Sequence, residues 1–131
     1  MDMIQDIWDA SKEILHVSSE FAKANPAEKE RLSEVLSKIS EVLNEMYIKL
    51  RQKVRPSNEF SQLNLFSNTF YQHASNILGD EQAKELYELL NTSDKSDKLF
   101  NRVISDKFSY DELQKLEEAS GKFKVASVII K

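Results

Sequence analysis

Residues 25–53 read NPAEKERLSEVLSKISEVLNEMYIKLRQK, and this stretch decides the fold. Asn25 is a favourable N-cap, Pro26 suits the first helical position, and Glu28 stands where the acid of a capping box belongs. Apolar residues then recur every three or four positions along one helix face: Leu32, Val35, Leu36, Ile39, Val42, Leu43, Met46 and Leu50. The width of this face is typical of helix bundles rather than two-stranded zippers. The stretch therefore predicts one helix, about 42 Å long, ending near Lys53.

The helical pattern continues on both sides of this stretch. Before it, apolar residues recur at helical spacing from Ile4 to Ala22, and the pattern stops at Asn25-Pro26. After it, the segment from Phe60 to Leu78 predicts an aromatic-rich helix. Gly79 favours the end of that helix, and Asp80 is predicted to cap a short helix after it. That short helix and one further short helix are expected between Gly79 and the last long helix.

The last long helix begins at a predicted capping box. We expect Ser109 to accept from the amide of Glu112 and Glu112 to reach back to the amide of Ser109. Phe108 and Leu113 are spaced as a hydrophobic staple around this cap. The core-facing positions of the helix are predicted to be Leu116, Ala119, Ser120, Phe123, Ala126, Ser127 and Ile130. Gly121 lowers helix propensity, which predicts a close helix–helix approach there.

Composition excludes several fold and function classes. The chain has 131 residues with two glycines, two prolines and no cysteine. So few turn-forming residues exclude β-sandwiches, small barrels and glycine-cradled nucleotide folds, and the missing cysteines exclude disulfide scaffolds, zinc fingers and thiol nucleophiles. We predict an all-α fold over residues 1–131, a single antiparallel bundle of four long helices plus one or two short ones. Leu43 and Phe70 are predicted to lie in its core.

Charge and targeting patterns indicate few special partners. The net charge of −4 is too small to predict a nucleic-acid or membrane-surface partner. The first residues lack the basic and apolar regions of a signal peptide, and no apolar run approaches the roughly 18 residues of a membrane span. We therefore expect a cytoplasmic protein that binds neither nucleic acid nor membranes.

The two histidines are weak candidates for chemistry. Glu13 and His16 match half of a ferritin-like di-metal motif, but His73 follows Phe70 at that spacing, so a second half is missing. We predict that His16 lies on a solvated helix face and that His73 is a packing residue at the core edge, without an orienting acid beside it. We predict no catalytic residue, no metal site, no cofactor and no small-molecule substrate.

A basic cluster closes the long second helix. Lys49, Arg51, Lys53 and Arg55 follow one another at a spacing of two, which places them on different sides of the helix. Cations near a helix C-terminus also interact favourably with the helix dipole. The cluster therefore does not favour nucleic-acid binding.

Three segments carry a family resemblance. Lys29-Glu30-Arg31-Leu32, Asn76-Ile77-Leu78-Gly79-Asp80-Glu81-Gln82-Ala83 and Leu116-Glu117-Glu118-Ala119-Ser120-Gly121-Lys122-Phe123 resemble helical modules of bacterial signalling and defence proteins. Such modules sit N-terminal to an effector or NTPase part and act as association domains. The turn that often reads Pro-His-Gly in that family reads Arg55-Pro56-Ser57-Asn58 here. Small helical immunity proteins of bacteriocin systems are similar in size and bundle class.

These observations predict a non-enzymatic helical interaction module, either an adaptor or a self-associating domain. The alternative is a small stand-alone inhibitor, immunity or antitoxin protein that masks a partner. The second helix, about 42 Å long, exceeds the diameter of roughly 36 Å of a compact chain of this length. Either the bundle is long or the end of this helix projects. A projecting end exposes Tyr47, Leu50 and Val54, with Lys49 and Arg51 at the rim, and we predict a partner-binding site there.

Overall fold

The structure, a computed structural model, describes residues 2–107 and 109–131. Six α-helices follow one another in these residues: α1 (Met3–Phe21), α2 (Pro26–Arg51), α3 (Ser57–Leu78), α4 (Asp80–Leu90), α5 (Ser96–Ile104) and α6 (Tyr110–Ile130). Neither described range contains a β-strand. The all-helical prediction is therefore confirmed, and α4 and α5 are the short helices.

Five of the helices pack in a ring in the order α6, α1, α4, α3, α2 and back to α6, and α1 also contacts α3 across it. Two contacts show that α1 and α6 run parallel. Lys115 of α6 donates to Gln5 of α1 at 3.0 Å. Later in both helices, the Lys122 ammonium lies 3.8 Å from the ring centre of Trp8. The predicted antiparallel bundle of four long helices is therefore not confirmed, since this pair of neighbours is parallel. α4 and α5 lie between α3 and α6 in the chain. They bring the chain back to the end of the bundle at which α1 begins, so α6 runs in the same direction as α1.

Two pairs of serines join α2 to α6. Ser33 and Ser127 exchange hydrogen bonds to each other's main-chain carbonyls at 2.8 and 2.7 Å, and Ser40 and Ser120 do the same at 2.7 Å in both directions. These contacts show that the two helices are antiparallel and close together. Gly121, by contrast, is exposed, and an added Cβ there meets nothing within 4 Å. The predicted close approach at Gly121 is therefore wrong, because the small serines make it instead.

Two predicted helix caps are confirmed. The Asn25 side chain accepts from the Glu28 amide at 2.9 Å, and Ser109 Oγ accepts from the Glu112 amide at 3.2 Å. The Glu112 carboxylate accepts from Arg102 of α5 at 2.7 Å, so it serves to join α5 to α6.

The junction between α3 and α4 differs from its prediction. Gly79 has a φ of +90°, a conformation that favours glycine, and it occupies the N-cap position of α4 without a side-chain hydrogen bond. Asp80 is the first helical residue, so its predicted role as the cap is wrong. Its carboxylate accepts from the Tyr71 hydroxyl instead. The predicted staple between Phe108 and Leu113 involves a residue outside the described ranges.

The core contains the predicted apolar faces. Leu43 and Phe70 are fully buried, as predicted, and the Phe70 ring meets the Phe21 ring edge-on at a centroid distance of 5.8 Å. All seven core-facing positions predicted for α6 are buried: Leu116, Ala119, Ser120, Phe123, Ala126, Ser127 and Ile130. The helical periodicity thus placed the faces of these helices correctly.

One ion pair lies against the core. Lys95 Nζ contacts the carboxylate of the buried Asp6 at 3.1 Å. The same ammonium group donates to the main-chain carbonyls of Glu88 and Leu89, at 3.3 and 3.2 Å, in the last turn of α4. Lys95 therefore satisfies the C-terminal carbonyls of one helix and a carboxylate of another.

Candidate interaction surfaces

The C-terminal end of α2, the predicted partner-binding site, is covered by other helices. Tyr47 and Leu50 are buried, and of the three apolar residues predicted to be exposed only Val54 is exposed. The predicted exposure of Tyr47 and Leu50 is therefore wrong. The bundle is long instead of α2 projecting from it, because α3 and α6 both begin beside the end of α2.

The two rim residues predicted for that site bind the covering helices. Lys49 Nζ contacts both carboxylate oxygens of the buried Glu59, in the first turn of α3, at 2.9 Å. The Arg51 guanidinium lies 5.5 Å from the ring of Tyr47 and 5.6 Å from the ring of Tyr110, the first residue of α6. A hydrogen bond with Tyr110 and then burial raise the pKa of the Tyr47 hydroxyl above its usual value. These side chains hold the end of the bundle together.

The remaining cations of the basic cluster bind α5 and the turn after it. Lys53 pairs with Asp106, and Arg55 pairs with Asp97. The Arg55 guanidinium also lies over the rings of Phe60 and Phe100, at 5.7 and 5.6 Å. All four cations of the cluster therefore have acidic or aromatic partners within the chain, which supports a structural role.

A row of exposed apolar side chains lies on α6. Val125, Val128 and Ile129 are 50%, 62% and 47% exposed. Their i, i+3, i+4 spacing places them on one side of the helix, opposite the buried Phe123 and Ala126. We call Val125, Val128 and Ile129 the α6 ridge. The sequence analysis did not single out these residues, although they are apolar positions off the predicted core face.

Acidic side chains border the α6 ridge on the α2 side. A groove of about 410 Å³ runs along the contact between the two helices there, and its charged lining consists of three glutamates and three lysines: Glu30, Glu34, Glu41, Lys38, Lys124 and Lys131. We call Glu30, Glu34 and Glu41 the acidic rim. Within the described part of the chain, Glu30 and Glu41 have no hydrogen-bond or ion-pair partner. Glu34, by contrast, pairs with Lys38 at 3.1 Å.

Basic side chains border the α6 ridge on the α1 side. The ammonium groups of Lys12 and Lys122 lie 5.7 and 3.8 Å from the ring centre of Trp8, so this side of α1 faces α6. Lys12 pairs with Asp9 at 3.7 Å, and the exposed His16 follows it one turn further along α1. Lys23, also exposed, lies in the turn after α1. We call Lys12, His16 and Lys23 the basic rim. Neither the His16 side chain nor the Lys23 side chain has a hydrogen-bond or ion-pair partner among residues 2–107 and 109–131.

His73 has an acidic partner that the sequence did not reveal. Its Nδ1 lies 3.0 Å from the carboxylate of Glu28, and both side chains are mostly buried between α2 and α3. His73 is at the core edge as predicted, but the prediction that no acid stands beside it is wrong. No local pattern signals a pair separated by 45 positions. A shallow groove of about 260 Å³ runs from His73 past Leu65 and Phe66.

Within the described ranges, no group of three or more histidine, aspartate or glutamate side chains is placed to hold a metal ion. No helix in that part of the chain is both long and apolar enough to cross a membrane. Comparison with models of protein families, with curated proteins and with solved structures finds no match. The resemblance to modules of bacterial signalling and defence proteins therefore stays a prediction.

Proposed function

We propose that this protein is a non-enzymatic helical protein–protein interaction module and that the α6 ridge is its docking surface. The observation that carries the proposal is that the C-terminal half of α6 has apolar side chains on its exposed face as well as on its buried face. One face of its C-terminal half fills the core, and the opposite face exposes Val125, Val128 and Ile129. An exposed apolar patch bordered by charged side chains such as Lys122 and Lys124 marks a site of protein–protein contact, so a second protein surface is expected to cover this one.

The energetic gain from covering the α6 ridge is of the size that interfaces use. Fully burying a valine or isoleucine side chain contributes about 1.5–3 kcal/mol. Because each ridge residue is about half exposed, roughly half of that contribution remains available at each position. Three such residues at i, i+3 and i+4 on one side of a helix form an apolar centre, and the charged rims on both sides form the polar surround that interfaces have.

The docking surface that we propose lies on α6 and not at the end of α2, where the sequence predicted it. Tyr47 and Leu50 are buried against α3 and α6, and Lys49 and Arg51 hold those helices in place. Val54 alone stays exposed among the apolar residues predicted for that site. An apolar centre needs neighbouring apolar groups, and the α6 ridge supplies three.

The setting we propose is a bacterial adaptor or self-association domain in the cytoplasm, with no cofactor and no catalytic residue. His73 supports this assignment because Glu28 and the packing between α2 and α3 hold it. A stand-alone inhibitor, immunity or antitoxin protein that masks a partner is the alternative. The partner's identity separates the two: a toxin-like protein supports masking, and an effector encoded with this chain supports an adaptor.

Affinity capture from the native host tests the proposal. The test variant is Val125→Ser/Val128→Ser, and the matched control is Leu65→Ser on α3, because Leu65 and Val128 are equally exposed at 62%. We expect the double variant to lose an identified partner, either a second copy or another protein, by about tenfold or more. The control is expected to retain that partner. Equal recovery by both variants, with unchanged helicity, contradicts the proposal.

A further inference from the structure

One stretch of α6 has the composition of a β-strand. Residues 125–130 read VASVII, so four of the six side chains are β-branched, none is charged, and neither glycine nor proline occurs. No six-residue stretch elsewhere in the chain contains more than two valine, isoleucine or threonine residues. Short uncharged segments of this kind pair as strands between molecules. We call residues 125–130 the VASVII segment, and in the structure it is helical, since α6 continues to Ile130.

The helical conformation leaves most of the apolar surface of the VASVII segment in contact with solvent. Of its four large side chains only Ile130 is buried, whereas the three residues of the α6 ridge are about half exposed. In a strand, alternate side chains point to opposite faces, so pairing and stacking with further strands covers all four. β-branched side chains also lose rotamer freedom in a helix and pack well in a sheet. Both effects favour a strand once the segment leaves its place in the bundle.

Contacts with the rest of the bundle keep the VASVII segment helical. Ser127 exchanges hydrogen bonds with Ser33 of α2, at 2.8 and 2.7 Å, and the Ile130 side chain is fully buried. Phe123, just before the segment, is also fully buried. Because valine, isoleucine and serine are only moderate helix formers, the helix at this end depends on these contacts.

We propose that the VASVII segment is a conditional self-association site: docked on α2 it is helical, and after release from α2 it pairs as a β-strand with the same segment of further copies. The occupant is a second copy because identical uncharged strands stack in register with each apolar side chain against its own counterpart. Neither residues 2–107 nor residues 109–131 contain a β-strand, so the structure offers no strand of the same chain to pair with. The inference goes beyond the proposed function, which uses the α6 ridge while α6 is helical.

A second uncharged stretch of the chain supplies a matched control. Residues 60–78 of α3 contain no aspartate, glutamate, lysine or arginine, but only two of them, Thr69 and Ile77, are β-branched. Leu65 in this stretch and Val128 in the VASVII segment are equally exposed, at 62%. Leu65→Lys and Val128→Lys therefore add the same charge at equally exposed helix positions, one in each stretch.

Assembly of the full chain tests the proposal. Each protein is incubated at the same interval below its own midpoint of thermal unfolding, so that equal fractions of the chains are unfolded. We expect the wild-type chain to form thioflavin-binding fibres whose diffraction shows the strand spacing of about 4.7–4.8 Å. Val128→Lys is expected to lengthen the half-time of assembly about tenfold or more, because stacked copies then place lysine against lysine. Leu65→Lys is expected to assemble at the wild-type rate.

A reversible cross-link between α2 and α6 tests the release step. The hydroxyl oxygens of Ser33 and Ser127 lie 3.1 Å apart, and the chain contains no cysteine. Ser33→Cys/Ser127→Cys therefore places two thiols where a disulfide joins the helices. We expect the oxidised variant to form no fibres, because the VASVII segment stays on α2. The same protein after reduction is expected to form them.

Several results would overturn the inference. These are a wild-type chain that forms no fibres, aggregates that lack the strand spacing, and assembly slowed by Leu65→Lys as much as by Val128→Lys. Equal assembly of the oxidised and reduced forms of the cross-linked variant would also overturn it. The proposed function is decided separately, because the capture experiment is carried out on the folded chain, in which α6 is helical.

Discussion

Ser40 and Ser120 exchange hydrogen bonds across the contact between α2 and α6, each hydroxyl donating to the other residue's main-chain carbonyl at 2.7 Å. Ser33 and Ser127 repeat the arrangement two turns away. A helix carbonyl already accepts from its own helix, so these bonds use its second lone pair. Because serine is small, the backbones approach closely enough for the bonds to form. The antiparallel pairing of α2 and α6 is specified by these two contacts.

Substitutions at Ser40 are expected to separate hydrogen bonding from close packing. Ser40→Ala removes one donor and is expected to lower the free energy of unfolding by about 1 kcal/mol. Ser40→Val replaces the hydroxyl with one methyl group and adds a second where the helices touch, and it is expected to cost more, about 1–3 kcal/mol beyond the loss of the hydrogen bond. Urea denaturation measures both, with Ser61→Ala on the exposed side of α3 as the control. A valine variant as stable as the alanine variant would show that the helices have room to spare.

Breaking the ion pair between Lys95 and Asp6 is expected to be strongly destabilising. Lys95→Met leaves the buried Asp6 carboxylate without its partner, and we expect a loss of about 3–5 kcal/mol in the free energy of unfolding. The double variant Asp6→Leu/Lys95→Met removes both charges and is expected to recover part of this loss. Lys38→Met, which breaks an exposed pair with Glu34, is the control and is expected to cost less than about 1 kcal/mol. Similar losses for Lys95→Met and Lys38→Met would contradict the buried character of the first pair.

Lys53 and Asp106 are both in the left-handed conformation, with φ of 59° and 57°, and pair with each other at the ends of α2 and α5. This conformation costs about 1–2 kcal/mol for a residue with a Cβ, and an exposed ion pair returns little of that. We therefore expect Lys53→Gly to raise the free energy of unfolding by about 0.5–1 kcal/mol. Lys53→Ala keeps the Cβ and loses the pair, so it should give no gain. Thermal and urea unfolding of the two variants compare them, and a glycine variant less stable than the alanine variant would refute this account.

Stability is expected to fall in alkaline solution in a way that depends on Tyr71. Its hydrogen bond to the Asp80 carboxylate, then burial and the charge of Asp80, raise the pKa of the Tyr71 hydroxyl above 10. The unfolded chain therefore loses this proton at a lower pH than the folded chain does. The stabilisation is complete below about pH 10 and is lost as the pH rises through the folded-state pKa.

Tyr71→Phe isolates this contribution from the lysines, which titrate in the same range in both proteins. We expect the free energy of unfolding to fall less steeply above pH 10 in the variant than in the wild-type chain. An ultraviolet titration of the folded protein checks the cause, since Asp80→Asn is expected to return the Tyr71 transition toward its usual pH. Identical alkaline slopes for the wild-type chain and Tyr71→Phe would exclude the proposed linkage.

The sequence alone determined the helices and the faces they bury. The caps at Asn25 and Ser109 and the burial of Leu43 and Phe70 follow from residue spacing and from hydrogen bonds that span only a few residues. Such signals are complete within one or two helical turns, so they are readable without knowing how the helices pack.

The tertiary structure decided which helices become neighbours, and with that the location of the free surface. Periodicity identified Tyr47 and Leu50 as apolar residues near a helix end, but whether anything covers them depends on where α3 and α6 begin in space. The contact between Glu28 and His73, 45 positions apart, could not be predicted from the sequence because it also depends on how the helices pack. An exposed face such as the α6 ridge exists only where the ring of helices leaves one side of a helix uncovered. Side-chain spacing within a helix specifies its faces, whereas the packing of whole helices decides which of those faces meets solvent.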